Sequence, residues 1–541
     1  MGEPNGRPAW GALAVLCAIV ALSAVFHLWG IRRNLPVIPQ MDEVLLYEPA
    51  IRIASTGDLN PRWFGYPGST VIYPSALAAH VWQAIVHGGG WLRVGSQWPA
   101  ILQQSGYDLV LIGRLVSVAY SLAALVVLFL LGRTVFGTSI ALAGTLLAAL
   151  CPTTVDYAQQ LRTDGPAMFF GLLYLFFCLR LLRRPGWSSS VLAGASLGFG
   201  LATRVLLAAT APALLLVDLV RWHRATPRGD RLTIWQIAAG IACVPLAFVL
   251  ATPYAVLDPG TAWSSFHELA AKQNTHLGAD GLGPAGNFWW YVSTAMPLAL
   301  TWPQMALAVV GIASILRSRE PAALLTIVYL VGFVGGISMV GLHWDRWLLP
   351  VLPIMGLHAA LGAYVLLDAV ARGRVRDPAS PRRRVLVPVL VACVALALVI
   401  APTRTLVAAA RLHSTPTTDV VAAQWITANL PATSLIARER NTAPISERRY
   451  VVLTFAQLPE RTFDEYVRLR VDYVLASSSN WMRFQNEAAR YATEVAFYQE
   501  LNSRAQLVKQ FAPSADRGGP IVRIYALSPR ARAFAATVAE R

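Results

Sequence analysis

The chain has 541 residues, 55% of them hydrophobic and only 14% charged, with a mean hydropathy of +0.50. Soluble domains carry about 25% charge, so this composition excludes a soluble enzyme; it also excludes disorder, which needs low hydrophobicity, and, with five cysteines, a disulfide scaffold. The net charge of +16 rests almost wholly on arginine, since Lys272 and Lys509 are the only lysines, and the arginines lie between apolar segments, a placement that argues against a nucleic-acid-binding face.

A membrane-spanning helix needs roughly 20 apolar residues, because hydrocarbon offers no partner to unpaired backbone groups. About eleven segments read as spans: 9–30, 107–131, 138–157, 164–182, 189–203, 205–220, 233–256, 297–316, 321–340, 347–369 and 385–402. The fifth and sixth are short and abut at Ala202-Thr203-Arg204, which predicts a tight helical hairpin. The first lacks a small-residue cleavage site at a convincing distance and is expected to remain as an anchor. With the N-terminus inside, the inner loops hold Arg133, Arg183-Arg184, the cluster from Arg221 to Arg231, Arg317, Arg319 and the run from Arg372 to Arg384. The outer loops after spans three, five, seven and nine hold only Arg162, Arg204, Lys272 and Arg346. That bias sets the orientation; Arg32-Arg33, just outside the first span, departs from it.

Three sizeable pieces then fall outside: a first loop, 31–106; a second loop, 257–296; and the tail, 403–541. The tail reads as soluble α/β. Thr418 or Asp419 caps a helix through Asn429 that Pro431 stops. Short strands are expected at 434–437, 507–511 and 521–527, a buried strand at 471–476, a helix at 463–469 and a long amphipathic helix at 480–503. The tail has no cysteine; Cys17, Cys151, Cys178, Cys243 and Cys393 all fall in or beside spans, where packing explains them.

Carboxylates beside a membrane are expensive and need a reason. Asp42-Glu43 lies soon after the first span; it is either a solvated acidic pair or a general base that takes a proton from an attacking hydroxyl. Asp164, in Gln160-Leu161-Arg162-Thr163-Asp164-Gly165-Pro166, opens the fourth span and is placed to cap a helix. Arg204 and Arg346 stand on the arginine-poor side. Each either snorkels or, for Arg346, pairs with Asp345; as a pair they would clamp a lipid phosphate with planar guanidinium forks. Lys272 and His276 of the second loop could join them, and His343 lies in the same His343-Trp344-Asp345-Arg346 run. The aromatic, proline-rich stretch 61–74, with Tyr66 and Tyr73, is either an interfacial belt or a platform for a sugar ring or prenyl chain. No His/Cys/Asp/Glu cluster has metal-ligand spacing. No Walker A, Rossmann or Ser/His/Asp signature is present, which points to a donor already loaded on a lipid.

These residues resemble the GT-C superfamily of integral-membrane glycosyltransferases, akin to bacterial protein O-mannosyltransferases and the lipid A aminoarabinose transferase. The resemblance rests on Asp42-Glu43 after the first span, Gly57-Asp58-Leu59-Asn60-Pro61 and Tyr66-Pro67 in the first outer loop, Arg162-Thr163-Asp164, and the Gly194/Gly198/Gly200 run before Arg204. It further rests on Arg346-Trp347-Leu348-Leu349-Pro350, similar to the family's Arg-Tyr-x-x-Pro, and on Trp425-Ile426-Thr427-Ala428-Asn429-Leu430-Pro431 at the head of the tail. It implies a polytopic α-helical GT-C catalytic domain, 1–402, followed by a soluble extracytoplasmic α/β domain, 403–541, in the cell membrane. It implies transfer of a sugar from a polyprenyl-phosphate carrier to a cell-wall glycan, glycolipid or protein acceptor on the outer face. By position, Asp42 would be the base, Glu43 and Asp164 would orient acceptor or sugar, and Arg204 and Arg346 would hold the donor phosphate. Some relatives bind a divalent cation near the acidic residues, which leaves a cation open here. Two departures stand out: Trp347 replaces the tyrosine, and Gly68-Ser69 follows Tyr66-Pro67 where relatives often have a second proline and a leucine. The competing class is a transporter or flippase of a lipid-linked glycan, which would favour an inverted repeat and midplane polar residues; here the ionisable residues gather at span ends.

Overall fold

The structure, a computed structural model, describes residues 10–35, 41–65, 67–86, 98–224, 231–272, 281–375 and 381–539. They form two compact units. One holds the described residues of 10–28, 46–272 and 281–408; the other holds those of 29–45 and 409–539.

The first unit is helical. Its first part comprises α1 (Trp10–Leu28), α2 (Met41–Thr56, whose first turn belongs to the other unit), α3 (Ser69–Val86), α4 (Trp98–Phe136), α5 (Thr138–Ala149), α6 (Pro152–Ala158), α7 (Asp164–Arg183), α8 (Trp187–Thr203) and α9 (Pro212–His223). It continues through α10 (Ile234–Ala251), α11 (Tyr254–Leu257), α12 (Pro259–Lys272), α13 (Gly283–Trp290), α14 (Met296–Leu300), α15 (Trp302–Ser318), α16 (Pro321–Ser338), α17 (Leu352–Val375) and most of α18 (Pro381–His413). Each expected segment coincides with a helix. Among the described residues seven helices are long and apolar enough to cross a membrane, or up to nine when each of two bent pairs counts as one span. The bends explain much of the difference from about eleven. The run read as 138–157 is α5 and α6, bent by 58°, and the run read as 297–316 begins in α14 and turns by 116° into α15. Proline causes both breaks locally: Pro152 and Pro303 lack an N–H and open the new helix in its first turn. The segment expected as the first outer loop is also more regular than expected, since 31–106 contains α2, α3 and the start of α4.

The helices around the future site pack without slack. Residues 352–360 of α17 are buried throughout, and His358 among them hydrogen-bonds Thr326 of α16 at 2.8 Å. The seam between α8 and α10 has no room for side chains. A Cβ at Gly194 would sit 1.8 Å from the Gly240 carbonyl oxygen, and one at Gly198 would sit 2.2 Å from that of Val244. Backbone approach of this kind is how helices associate where the hydrophobic effect supplies no drive.

The second unit is a five-stranded sheet between helices: α19 (Thr418–Asn429), β1 (Leu435–Glu439), β2 (Val451–Phe455), α20 (Phe463–Arg468), β3 (Tyr473–Ser477), α21 (Ser478–Asn486), α22 (Ala492–Arg504), β4 (Gln506–Phe511), β5 (Val522–Ala526) and α23 (Pro529–Ala539). The strand order is β2-β1-β3-β5-β4, with β1 parallel to both neighbours and β5 antiparallel to β3 and β4. β3 is buried at every position, so both faces are covered. Tyr473 and Leu475 meet the α19 and α23 side, while Val474 and Ala476 meet α20, α21 and α22. The single helix expected at 480–503 is two, because the chain leaves the helical path at Glu487 to bury Tyr491 against Phe484. Thr417 rather than Thr418 precedes α19, and its hydroxyl donates to Asn34 Oδ1 at 2.8 Å. Arg33 meets His413 Nε2 at 2.8 Å, so an arginine that departed from the charge bias is used to tie 29–35 to this unit.

Glu439, at the end of β1, is fully buried; its carboxylate accepts from Tyr498 Oη at 2.6 Å and from the Ser477 N–H at 2.5 Å. Burial pushes its carboxyl up to about 7, against the pull of those hydrogen bonds. A carboxyl raised in the folded state stabilises fully below its unfolded value, and that stability is lost as pH rises through 7. The full-length protein should therefore lose about 2 kcal/mol in the unfolding of this unit between pH 5 and pH 8. Glu439→Gln should flatten that dependence, as read from denaturant unfolding at each pH.

Candidate active site

Asp164 is the first residue of α7 and is 3% exposed. Its Thr-Asp-Gly-Pro context predicts a cap, yet the residue before the helix, Thr163, makes no side-chain cap bond. The Asp164 carboxylate instead receives Nη1 of Arg204 in a buried ion pair. Arg204 stands where α8 ends and a 3-10 turn, Val205–Thr210, begins; its extended backbone lets the side chain leave the helix path. It is 7% exposed, and its guanidinium lies 5.6 Å from the centroid of the Trp347 ring. The break expected at Ala202-Thr203-Arg204 is thus the point that delivers a cation inward.

Arg346 does not start α17 but sits in a separate 3-10 turn, Asp345–Leu348. Three bonds fix that turn. Asp345 Oδ1 accepts from the Arg346 N–H at 2.8 Å and from Tyr157 Oη at 2.9 Å, and the Trp344 N–H donates to Tyr291 Oη at 3.3 Å. The Arg346 guanidinium lies 4.6 Å from the Trp344 ring centroid. Asp164, Arg204, Arg346 and Trp347 line one recess, walled by Leu206, Leu207, Phe333 and Pro350. Two guanidiniums against one carboxylate give the recess a net positive charge, the polarity that suits an anion. A divalent ion does not fit there, because the one carboxylate is bound to Arg204 and both other charges are positive. Among the described residues no group of three His, Cys, Asp or Glu side chains could hold a metal.

Of the residues expected to act, the structure brings Asp164, Arg204 and Arg346 together. His343 lies three residues from Arg346, with its ring 4.5 Å from that of Trp290. Tyr73 of α3 donates its hydroxyl to the Leu59 carbonyl at 3.0 Å. This belongs to a knot around Asp58 and Asn60: Arg52 and Arg62 pair with Asp58, and Asn60 Nδ2 donates to Asp258 Oδ2 at 2.9 Å, joining the 31–106 segment to the 257–296 segment. The Asn60 backbone and the Arg62 side chain hold the Asp58 carboxyl below its usual range. Asp42 and Glu43 form the first turn of α2, with Glu43 1% exposed; that turn belongs to the second unit and the recess to the first. Tyr66 and His276 lie outside the described residues, as does the side chain of Lys272 at the end of α12. Tyr157, Tyr291 and Phe333 carried no sequence signal, since each is recruited by a partner far along the chain.

Residues 109–253 match the family described as dolichyl-phosphate-mannose-protein mannosyltransferase. No curated protein sequence matches the chain. Among solved structures, ArnT from Cupriavidus metallidurans is 15% identical, with 95% of this chain and 98% of that one covered and a TM-score of 0.54, both in the apo state and bound to undecaprenyl phosphate. The oligosaccharyltransferase AglB from Archaeoglobus fulgidus, in complex with an inhibitory peptide and a dolichol-phosphate, is 12% identical over 96% of this chain and 74% of that one, with a TM-score of 0.52. The chain has the GT-C fold of multi-pass membrane glycosyltransferases, carrying a small α/β unit at its C-terminal end.

Breaking a buried ion pair from one side strands the other charge, at about 3–5 kcal/mol. Asp164→Asn and Arg204→Gln should each lower the melting temperature of the full-length protein in detergent. The double variant should lose less than their sum, a coupling of more than about 1 kcal/mol in a double-mutant cycle.

Proposed function

We propose that this protein transfers a sugar from a polyprenyl-phosphate carrier to a hydroxyl of an envelope acceptor, at the extracytoplasmic face. The observation that carries the reading is the convergence of Arg204 and Arg346 on one recess of a GT-C fold. The acceptor oxygen attacks the anomeric carbon of the donor as the bond from that carbon to the phosphate oxygen breaks, with inversion. Asp42 takes the hydroxyl proton, and polyprenyl phosphate leaves. The phosphate gains negative charge as it departs, so two preorganised guanidiniums stabilise the transition state more than the ground state. Asp164 is a positioning residue here: it fixes Arg204 and touches neither reactant. Glu43 orients the acceptor or sugar. Lys272 adds to the phosphate grip, and Tyr66, Tyr73, His276 and His343 line the sugar and lipid path, Tyr73 through its ring because its hydroxyl is committed to Leu59.

The arginine bias supports an outward-facing recess. The acceptor is a cell-wall glycan, a glycolipid or a protein hydroxyl. The ArnT neighbour, solved with undecaprenyl phosphate, supports the carrier class.

Asp42→Asn, reconstituted at unchanged protein level, should lower the turnover of sugar transfer at least about 100-fold while leaving donor affinity near wild type. Undiminished transfer would remove Asp42 from the mechanism. Lipid-linked glycan translocation with no transfer would favour a flippase.

A further inference from the structure

A groove of about 640 Å³ opens between the start of α8 and the first turns of α10, at the opposite end of α8 from Arg204. Trp187 and Trp235 supply its large walls and are 56% and 72% exposed, while the short side chains of Ala239 and Ala242 leave the space between. α10 is the least covered of the seven spanning helices among the described residues, with 11% of its most apolar window buried. The glycine seam closes the floor, so an occupant lies along the surface and does not enter the bundle. The two polar side chains of the groove, Thr233 and Gln236, form a capping box: Thr233 Oγ1 accepts from the Gln236 N–H at 3.3 Å, and Gln236 Oε1 accepts from the Thr233 N–H at 2.9 Å. Their oxygens are engaged, and the Thr233 O–H and the Gln236 amide N–H remain as donors. Cations stand at the mouth. Arg184 comes three residues before Trp187, Arg231 two residues before Thr233, and both are exposed. The 221–231 segment carries four arginines against Asp230 alone.

We propose that this groove holds one anionic phospholipid. Its phosphate sits at the mouth, against Arg184, Arg231 and the Thr233 and Gln236 donors, and one acyl chain lies over the alanines between the two tryptophans. The charge is complementary on both counts: the mouth offers cations and neutral donors, and an ionised phosphate supplies only acceptors. The apolar trough running on along a membrane-length helix suits a chain and not a free phosphate ion. The inference is independent of the transferase reading. The 17 residues of α8 put about 25 Å of helix between this groove and Arg204, so the two anion-seeking places lie at opposite ends of one span. A lipid seated here touches both members of the α8–α10 seam and holds them from the outside.

The test titrates the full-length protein in detergent with phosphatidylglycerol and with phosphatidylcholine of identical acyl chains, reading bound lipid by native mass spectrometry. Wild type should retain phosphatidylglycerol in preference. Arg184→Gln combined with Arg231→Gln should weaken phosphatidylglycerol binding about tenfold and leave phosphatidylcholine unchanged. Arg317→Gln combined with Arg319→Gln, which removes the same charge away from the groove, should change neither. Trp235→Ala removes one wall and should weaken phosphatidylglycerol at least about threefold. Equal binding of the two lipids by wild type overturns the inference and leaves the tryptophans as an ordinary interfacial belt. Equal losses in the two arginine pairs overturn it in favour of diffuse surface charge, and full affinity in Trp235→Ala overturns the seat in the groove. A third probe, undecaprenyl phosphate, separates the sources: if Arg184→Gln with Arg231→Gln weakens its binding and spares phosphatidylglycerol, the occupant is a prenyl phosphate and the proposal falls.

Discussion

A carboxylate and a guanidinium taken out of water together fix each other's position, because neither tolerates the low-dielectric interior alone. Asp164 and Arg204 stand in that relation, and the site is organised around them. The pair joins the start of α7 to the end of α8 across forty residues of sequence. It requires the helix to stop at Thr203 and requires Asp164 to turn inward, away from the capping position its sequence context suggests. Once Arg204 is fixed, Trp347 lies against it, and the turn carrying Trp347 also presents Arg346. That turn is held in its own right by the Asp345–Tyr157 and Trp344–Tyr291 bonds. Three short breaks between helices thus converge, each kept in place by a polar contact that is strong because it is dry.

What could be read from the sequence divides along physical lines. The apolar segments were legible because hydrocarbon demands them, and the break at Arg204 was legible because two short segments met there. Arg204 and Arg346 stood out because the loops expected on the outer side hold so few arginines. The partner of Asp164 was not legible: Thr-Asp-Gly-Pro is a helix-start pattern on local grounds, and the competing ion pair depends on a residue forty positions away. The bends at Leu150 and Leu300 were also hidden, since hydropathy adds up residues without regard to direction, although Pro152 and Pro303 were there to be weighed. Tyr157 and Tyr291 had no local signature at all.

In the α/β unit the same division holds. β3 announced itself as a continuous apolar run, which suits a strand buried on both faces. The amphipathic pattern over 480–503 was genuine on either side of the interruption, but the interruption comes from the tertiary demand to bury Tyr491. β2, Val-Val-Leu-Thr-Phe, had the composition of a strand without strict alternation, and at the sheet edge only part of each residue is covered.

The seam between α8 and α10 has one more consequence. Two helices touching through glycine and carbonyl, with nothing compressible between them, cannot slide or tilt against each other without a collision. Arg204 is mounted at the end of that stiff strut. Its placement is therefore tied to the position of two helices at once, so a shift of Arg204 along α8 would have to carry α10 with it.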